Sequence, residues 1–339
     1  MLSSKDNFMT VLHGGCPEWV PGYSLADSGF GDPPIIYLMP PMVAGHRKFG
    51  VGGKDVWGVE YVPTASTNGG CLPKPGQFIL EDVRRWRDVI KAPDLSHTDW
   101  ERVAKQHMAD AGVNRSVSAL SVDTHIGYFQ HLMAFMGFEN GLCALYEEKE
   151  ACKELLDYLA DFYIGILEAM IDYYQPDAIA LKDDTATATA PFVSLEMFRE
   201  FFVPLYQRQA RCARERGLPI TFHNCGRCEA LLPPLVEEVG VTLWEPAQTS
   251  NDLAGIKARY GNRLVIAGGW EPTGRLLEAD VTDEEIEASV RDTIMTLGPG
   301  GGYCFSGGYF GLMGDEETAR KSRVVQDAYL KYRAAPYGG

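Results

Sequence analysis

His223 and Cys225 stand one residue apart at the end of an apolar run, 220–223, and Cys304 answers them much later in the chain. In an extended strand, side chains two apart point the same way, so imidazole and thiol can reach one ion. One histidine and two cysteines form a ligand set suited to zinc. Three protein ligands leave the fourth tetrahedral position to a substrate, which separates catalytic from structural zinc. Cys225-Gly226-Arg227-Cys228 is also a CxxC, a spacing found in redox pairs and in halves of four-cysteine zinc sites. The chain has no second CxxC to complete such a site. Cys228 falls in the first turn of an expected helix, where a thiol packs as a small apolar group.

Other reactive side chains recur at comparable places. Glu245 follows the next apolar run and is the fourth zinc ligand when substrate is absent, a hydrogen-bond partner of His223, or simply a solvated strand-end carboxylate. Asp183 and Asp184 form a carboxylate pair that can bind substrate or raise one another's pKa for acid–base work; otherwise one of them caps the following segment. Trp244, Trp270, Tyr303 and Phe305, with Tyr309 and Phe310, suggest a partly apolar substrate pocket. The glycines at 298 and 300–302, with Gly307, Gly308 and Gly311, let backbone approach a ligand closely. They match neither a P-loop nor a dinucleotide fingerprint, so a nucleotide cofactor is not supported.

The elements that must position these residues are rhythmic from residue 117 onward. Strand-length apolar runs at 117–122, 178–181, 220–223, 242–244, 264–267 and 303–305 alternate with helical stretches. Those helices are expected at 128–136, 148–174, 195–216, 227–239, 253–260, 283–297 and 315–332. Strict alternation argues for a parallel sheet with helices outside it. Six units, plus one or two strands before residue 117, come close to eight. The expected fold is therefore an α/β (β/α)8 TIM barrel, with an open doubly wound sheet as the alternative. One domain spans 1–339: 1–115 is an irregular, Pro- and Gly-rich N-terminal extension with the first elements, and 116–339 holds the regular units. In such a barrel catalytic groups sit at the C-terminal strand ends, and the stretches 182–184, 223–226, 244–246, 268–271 and 304–308 fall at five of them.

Composition narrows the setting. The 339 residues carry a formal net charge of −15, which argues against nucleic acid and anionic membranes as partners. No apolar stretch is long enough to span a bilayer. The first residues include Lys5 and Asp6 and no long apolar core, so a secretory signal is not expected. Eight scattered cysteines in a chain of this size fit a reduced, cytoplasmic protein.

Taken together, several segments make the chain resemble the uroporphyrinogen decarboxylase superfamily over nearly its whole length. They are 7–20 (NFMTVLHGGCPEWV), 55–62 (DVWGVEYV), 182–185 (KDDT), 194–204 (SLEMFREFFVP), 223–226 (HNCG) and 264–269 (LVIAGG). The resemblance implies a (β/α)8 barrel. The His-x-Cys and distant Cys look like the zinc site of that superfamily's corrinoid-dependent methyltransferases, and the 78 residues between Cys225 and Cys304 are a similar spacing. That likeness implies Zn2+ on His223, Cys225 and Cys304, a corrinoid carried by a partner protein, and methyl transfer from a small methylated substrate. True decarboxylases use an N-terminal arginine-rich motif and no metal; residues 23–50 here offer only His46, Arg47 and Lys48. Thiol-methylating members follow the distal cysteine with a Pro-containing loop, whereas this chain has Phe305-Ser306-Gly307-Gly308-Tyr309. The expected substrate is therefore a methoxylated aromatic or similar molecule. The alternatives are a methylcorrinoid:thiol methyltransferase, a metal-free decarboxylase using Asp183 or Asp184, and a non-catalytic corrinoid- or tetrapyrrole-binding protein.

Overall fold

The apolar runs become strands of one curled parallel sheet. The computed structural model describes residues 2–23, 33–44, 48–64, 69–124, 127–311 and 315–338. Its strands are β1 (Ile35–Leu38), β2 (Gly53–Lys54), β3 (Glu60–Pro63), β4 (Cys71–Pro73) and β5 (Ala119–Val122). They continue as β6 (Ala178–Lys182), β7 (Ile220–His223), β8 (Leu243–Ala247), β9 (Val265–Gly269) and β10 (Tyr303–Ser306). Seven of them form a sheet in the order β1-β5-β6-β7-β8-β9-β10, with every neighbouring pair parallel. The expected eighth strand is not among these ladders. Its place beside β10 is held by one parallel bridge, Gly22 to Phe305, in which the Tyr23 amide donates to the Phe305 carbonyl at 2.6 Å. The Tyr23 hydroxyl then bonds that of Tyr37 on β1, so the two edges of the sheet approach one another.

Two apolar clusters hold this shape. The smaller fills the inside of the curl with Ile35, Ala119, Ala178, Leu243, Val265, Ala267 and Cys304, residues from six of the seven strands. Phe8, Val11 and Leu12 join it from the helix Ser4–Leu12, which packs under the starts of the strands. This helix lies within the expected irregular extension, and Ser3 caps it by accepting from the Asp6 amide at 3.0 Å. The larger cluster lies between the sheet and its helices, notably Lys149–Tyr174, whose buried stripe runs Cys152, Leu155, Leu156, Leu159 and Tyr163. β2, β3 and β4 form a separate antiparallel sheet in the extension.

The helices at 128–136, 253–260 and 283–297 lie where periodicity places them. The expected helix 227–239 is broken instead into a 3-10 turn Glu229–Leu231, one α-turn Leu232–Pro234 and a π-turn Leu235–Val239. Pro233 and Pro234 explain this, since neither supplies the N–H that a regular ladder needs. Among the described residues no helix is long and apolar enough to cross a membrane.

Candidate metal centre

Register places the candidate ligands. Lys182 pairs with His223, and His223 with Glu245, so three adjacent strands present these side chains abreast on the inner face. Just beyond them, the segment after β7 is locked to the segment after β6. The Asn224 side chain accepts from the Thr185 amide at 3.1 Å and donates to the Thr185 hydroxyl at 2.8 Å. Asp184 Oδ1 accepts from the Cys225 amide at 3.0 Å, and its Oδ2 accepts from Gln130 Nε2 at 2.8 Å. Gly226 turns the chain with φ +90°, and a Cβ there would stand 2.5 Å from the Thr187 carbonyl oxygen.

These locks bring three different donor atoms to one point. His223 Nε2 lies 3.4 Å from Cys225 Sγ and 3.5 Å from Asp184 Oδ1. A ligand atom from each of Asp184, His223 and Cys225 falls within 4.8 Å of the others. His223 Nδ1 lies 2.9 Å from Glu245 Oε1, a contact in which the ring donates and its Nε2 faces the other two. Burial alone would push the His223 imidazole down, but the Glu245 carboxylate and the Cys225 thiol outweigh it and hold its pKa well above the ordinary value. Burial also raises the Cys225 thiol, although His223 opposes that shift. The cluster thus favours a positive charge at its centre, and its O, N and S donors suit a divalent transition ion such as zinc. Glu245 is thus a hydrogen-bond partner of His223.

Cys304 does not join them. It pairs with Ala267 on β9, and through Glu245 on β8 the register sets it level with His223, but two strands separate β10 from β7 and its thiol is not in the group of donors within 4.8 Å of one another. There it is fully buried in the inner apolar cluster, and burial raises its thiol pKa.

Asp183 is not at the mouth either. Fully buried, it accepts from the Phe129 amide at 2.8 Å, the Gln130 amide at 3.1 Å and the Tyr206 hydroxyl at 2.6 Å. It thereby anchors the start of the helix Tyr128–Met136, which precedes it in the chain, rather than capping the segment that follows it. Burial pushes its pKa up to about 7 against the pull of those donors. Gly127 must be glycine beside it, since φ is +126° and a Cβ would lie 2.3 Å from Asp183 Oδ1.

The expected aromatic lining is a correction as well. Alternation turns Cys304 and Ser306 inward, so Tyr303 and Phe305 face the helices, and Phe305 stacks on Tyr329 at 5.2 Å. Trp244 is fully buried and donates to the Asn224 carbonyl at 3.1 Å. Trp270 packs outward too, donating to Ser289 at 3.0 Å with Tyr309 edge-on at 5.7 Å. Phe310 is 91% exposed. Cys228 is buried with its Sγ 3.5 Å from the Asn224 carbonyl, as a packed thiol should be. His46 and Arg47 lie outside the described residues, and Lys48 is exposed. An ion pair joins Lys182 to buried Asp123; its two members are 59 residues apart, so no local sequence pattern signals it.

The family model described as uroporphyrinogen decarboxylase (URO-D) matches residues 127–319, more than half of the chain. No curated protein matches the chain. Among solved structures it is similar to a methyltransferase from Methanosarcina mazei, with a TM-score of 0.66 at 14% identity. That likeness covers 97% of this chain and 100% of the other. At that identity it speaks for a shared fold.

Proposed function

The chain belongs to the uroporphyrinogen decarboxylase family, and from that premise we propose that it is a zinc-dependent methyltransferase. It moves a methyl group between a small methylated substrate, such as a methoxylated aromatic, and the cobalt of a corrinoid carried by a partner protein. Its curled sheet is completed as a (β/α)8 barrel by the segment at Gly22. The observation that carries this reading is the convergence of Asp184, His223 and Cys225 at the strand ends.

These three side chains would hold the ion. Once bound, zinc supplies Lewis acidity towards the substrate heteroatom, easing loss of its methyl group. The chain's own groups prepare that position. Glu245 fixes the tautomer and angle of His223. Gln130 and the Cys225 amide orient Asp184. Asn224 and Gly226 hold Cys225 in place. The inner strand faces contribute little positive charge, because Lys182 is the only lysine or arginine in the seven strands. A porphyrinogen with many carboxylates would find few partners there, which weighs against decarboxylation.

The test is to mix zinc-loaded protein with a cobalt(I) corrinoid and a set of methoxylated aromatics and methylated thiols. Appearance of the methylcobalt absorption spectrum is the expected result. Its absence with every donor, together with loss of CO2 from uroporphyrinogen, would overturn the proposal.

A further inference from the structure

Lys182 is a cation that the methyl-transfer chemistry leaves unused. It ends β6 on the inner face, beside His223 in register, and its side chain is 25% exposed. Its ammonium pairs with Asp123 just beyond β5, and Asp123 is 2% exposed. An ammonium carries three N–H donors, and one carboxylate leaves donors to spare. The neighbouring acids do not claim them: Glu245 is bonded to His223, and Asp184 to Gln130 and the Cys225 amide. The Lys182 side chain is part-exposed on the inner face, whereas Asp123 is buried.

We infer that Lys182 is the specificity-determining residue of this mouth, binding one anionic oxygen, carboxylate or phenolate, of the small substrate whose methylated heteroatom meets the metal centre. Asp123 is its positioning residue, holding the ammonium towards the inner face. This rests on the methyl-transfer reading above and adds the substrate's charge to it. A single lysine suits a ligand with a single anionic group, because further carboxylates would be buried unpaired.

The experiment is calorimetric titration of zinc-loaded protein, with no corrinoid present, using 3-methoxybenzoate and its neutral amide, 3-methoxybenzamide. The wild type should bind the benzoate about tenfold or more tightly than the amide, the worth of a hydrogen bond to a charged group. The double variant Lys182→Met/Asp123→Asn removes the pair together and leaves no orphaned buried charge. It should lose the preference while keeping its zinc content and its affinity for the amide. Equal binding of the two probes by the wild type, binding of neither, or a preference that survives in the double variant would overturn the inference. The wild-type comparison decides even if the variant does not fold. A protein that prefers the benzoate but never methylates cobalt loses the proposed activity and keeps this site. One that methylates cobalt while binding both probes equally keeps the activity and loses this inference.

Discussion

Replacing Asp183 with alanine removes one acceptor from three donors: the amides of Phe129 and Gln130 and the hydroxyl of Tyr206. Phe129 and Tyr206 are fully buried, while Gln130 is partly exposed and its amide can turn to water. A buried donor left unpaired costs about 1–3 kcal/mol, so two cost about 2–6 kcal/mol. Part of that is offset, because burial disfavours the Asp183 carboxylate itself and pushes its pKa up to about 7. The expected net loss is about 2–4 kcal/mol, read from urea unfolding followed by circular dichroism. Tyr206→Phe removes one donor together with its bond. The pair Asp183→Ala/Tyr206→Phe should therefore cost less than the sum of the single variants, by about 1–3 kcal/mol. An Asp183→Ala protein that kept wild-type stability and lost methyl transfer would refute this reasoning. Asp183 would then act on substrate rather than on the helix it anchors.

Cys304→Ala should leave the zinc content of the purified protein unchanged, as measured by plasma mass spectrometry, since this thiol lies outside the cluster of Asp184, His223 and Cys225; loss of the metal would place it among the ligands. Glu245→Ala frees the His223 ring and should weaken zinc binding about 10–100-fold in competition with a chromogenic chelator, and an unchanged affinity would argue against its orienting role. His107 titrates in the opposite sense to His223. Burial holds its pKa below the usual value, so it stabilises the fold above the ordinary histidine range, and that contribution is lost as pH falls through the lowered one. His107→Gln should flatten the decline of the urea midpoint between about pH 7.5 and pH 5, and parallel curves for the two proteins would contradict the sign.

The parts of this site that could be read from the sequence are those set by local rules. Strand alternation puts His223 and Cys225 on one side, and strand–helix alternation puts residues 223–226, 182–184 and 245 at the same end of their units. Distance around the sheet was not legible. Cys304 and His223 both close apolar runs and lie level in register, but β8 and β9 stand between their strands. Direction was misread for the aromatics for a related reason. Tyr303 and Phe305 flank an inward-facing residue and must point to the helices, yet their sequence position matches that of mouth residues. Nor does spacing reveal which of two adjacent carboxylates is bound: Asp183 turns to backbone amides and Tyr206, and Asp184 turns to His223 and Cys225. The Asp123–Lys182 pair depends on the β5–β6 neighbourhood, which no local pattern encodes.

The account turns on which atoms hold the metal, and zinc X-ray absorption on the purified protein reads them directly. One sulfur scatterer at about 2.3 Å, with nitrogen and oxygen making up the rest of the shell, is the predicted result for Asp184, His223 and Cys225. A shell with two sulfurs, or purified protein that binds no zinc, would contradict it.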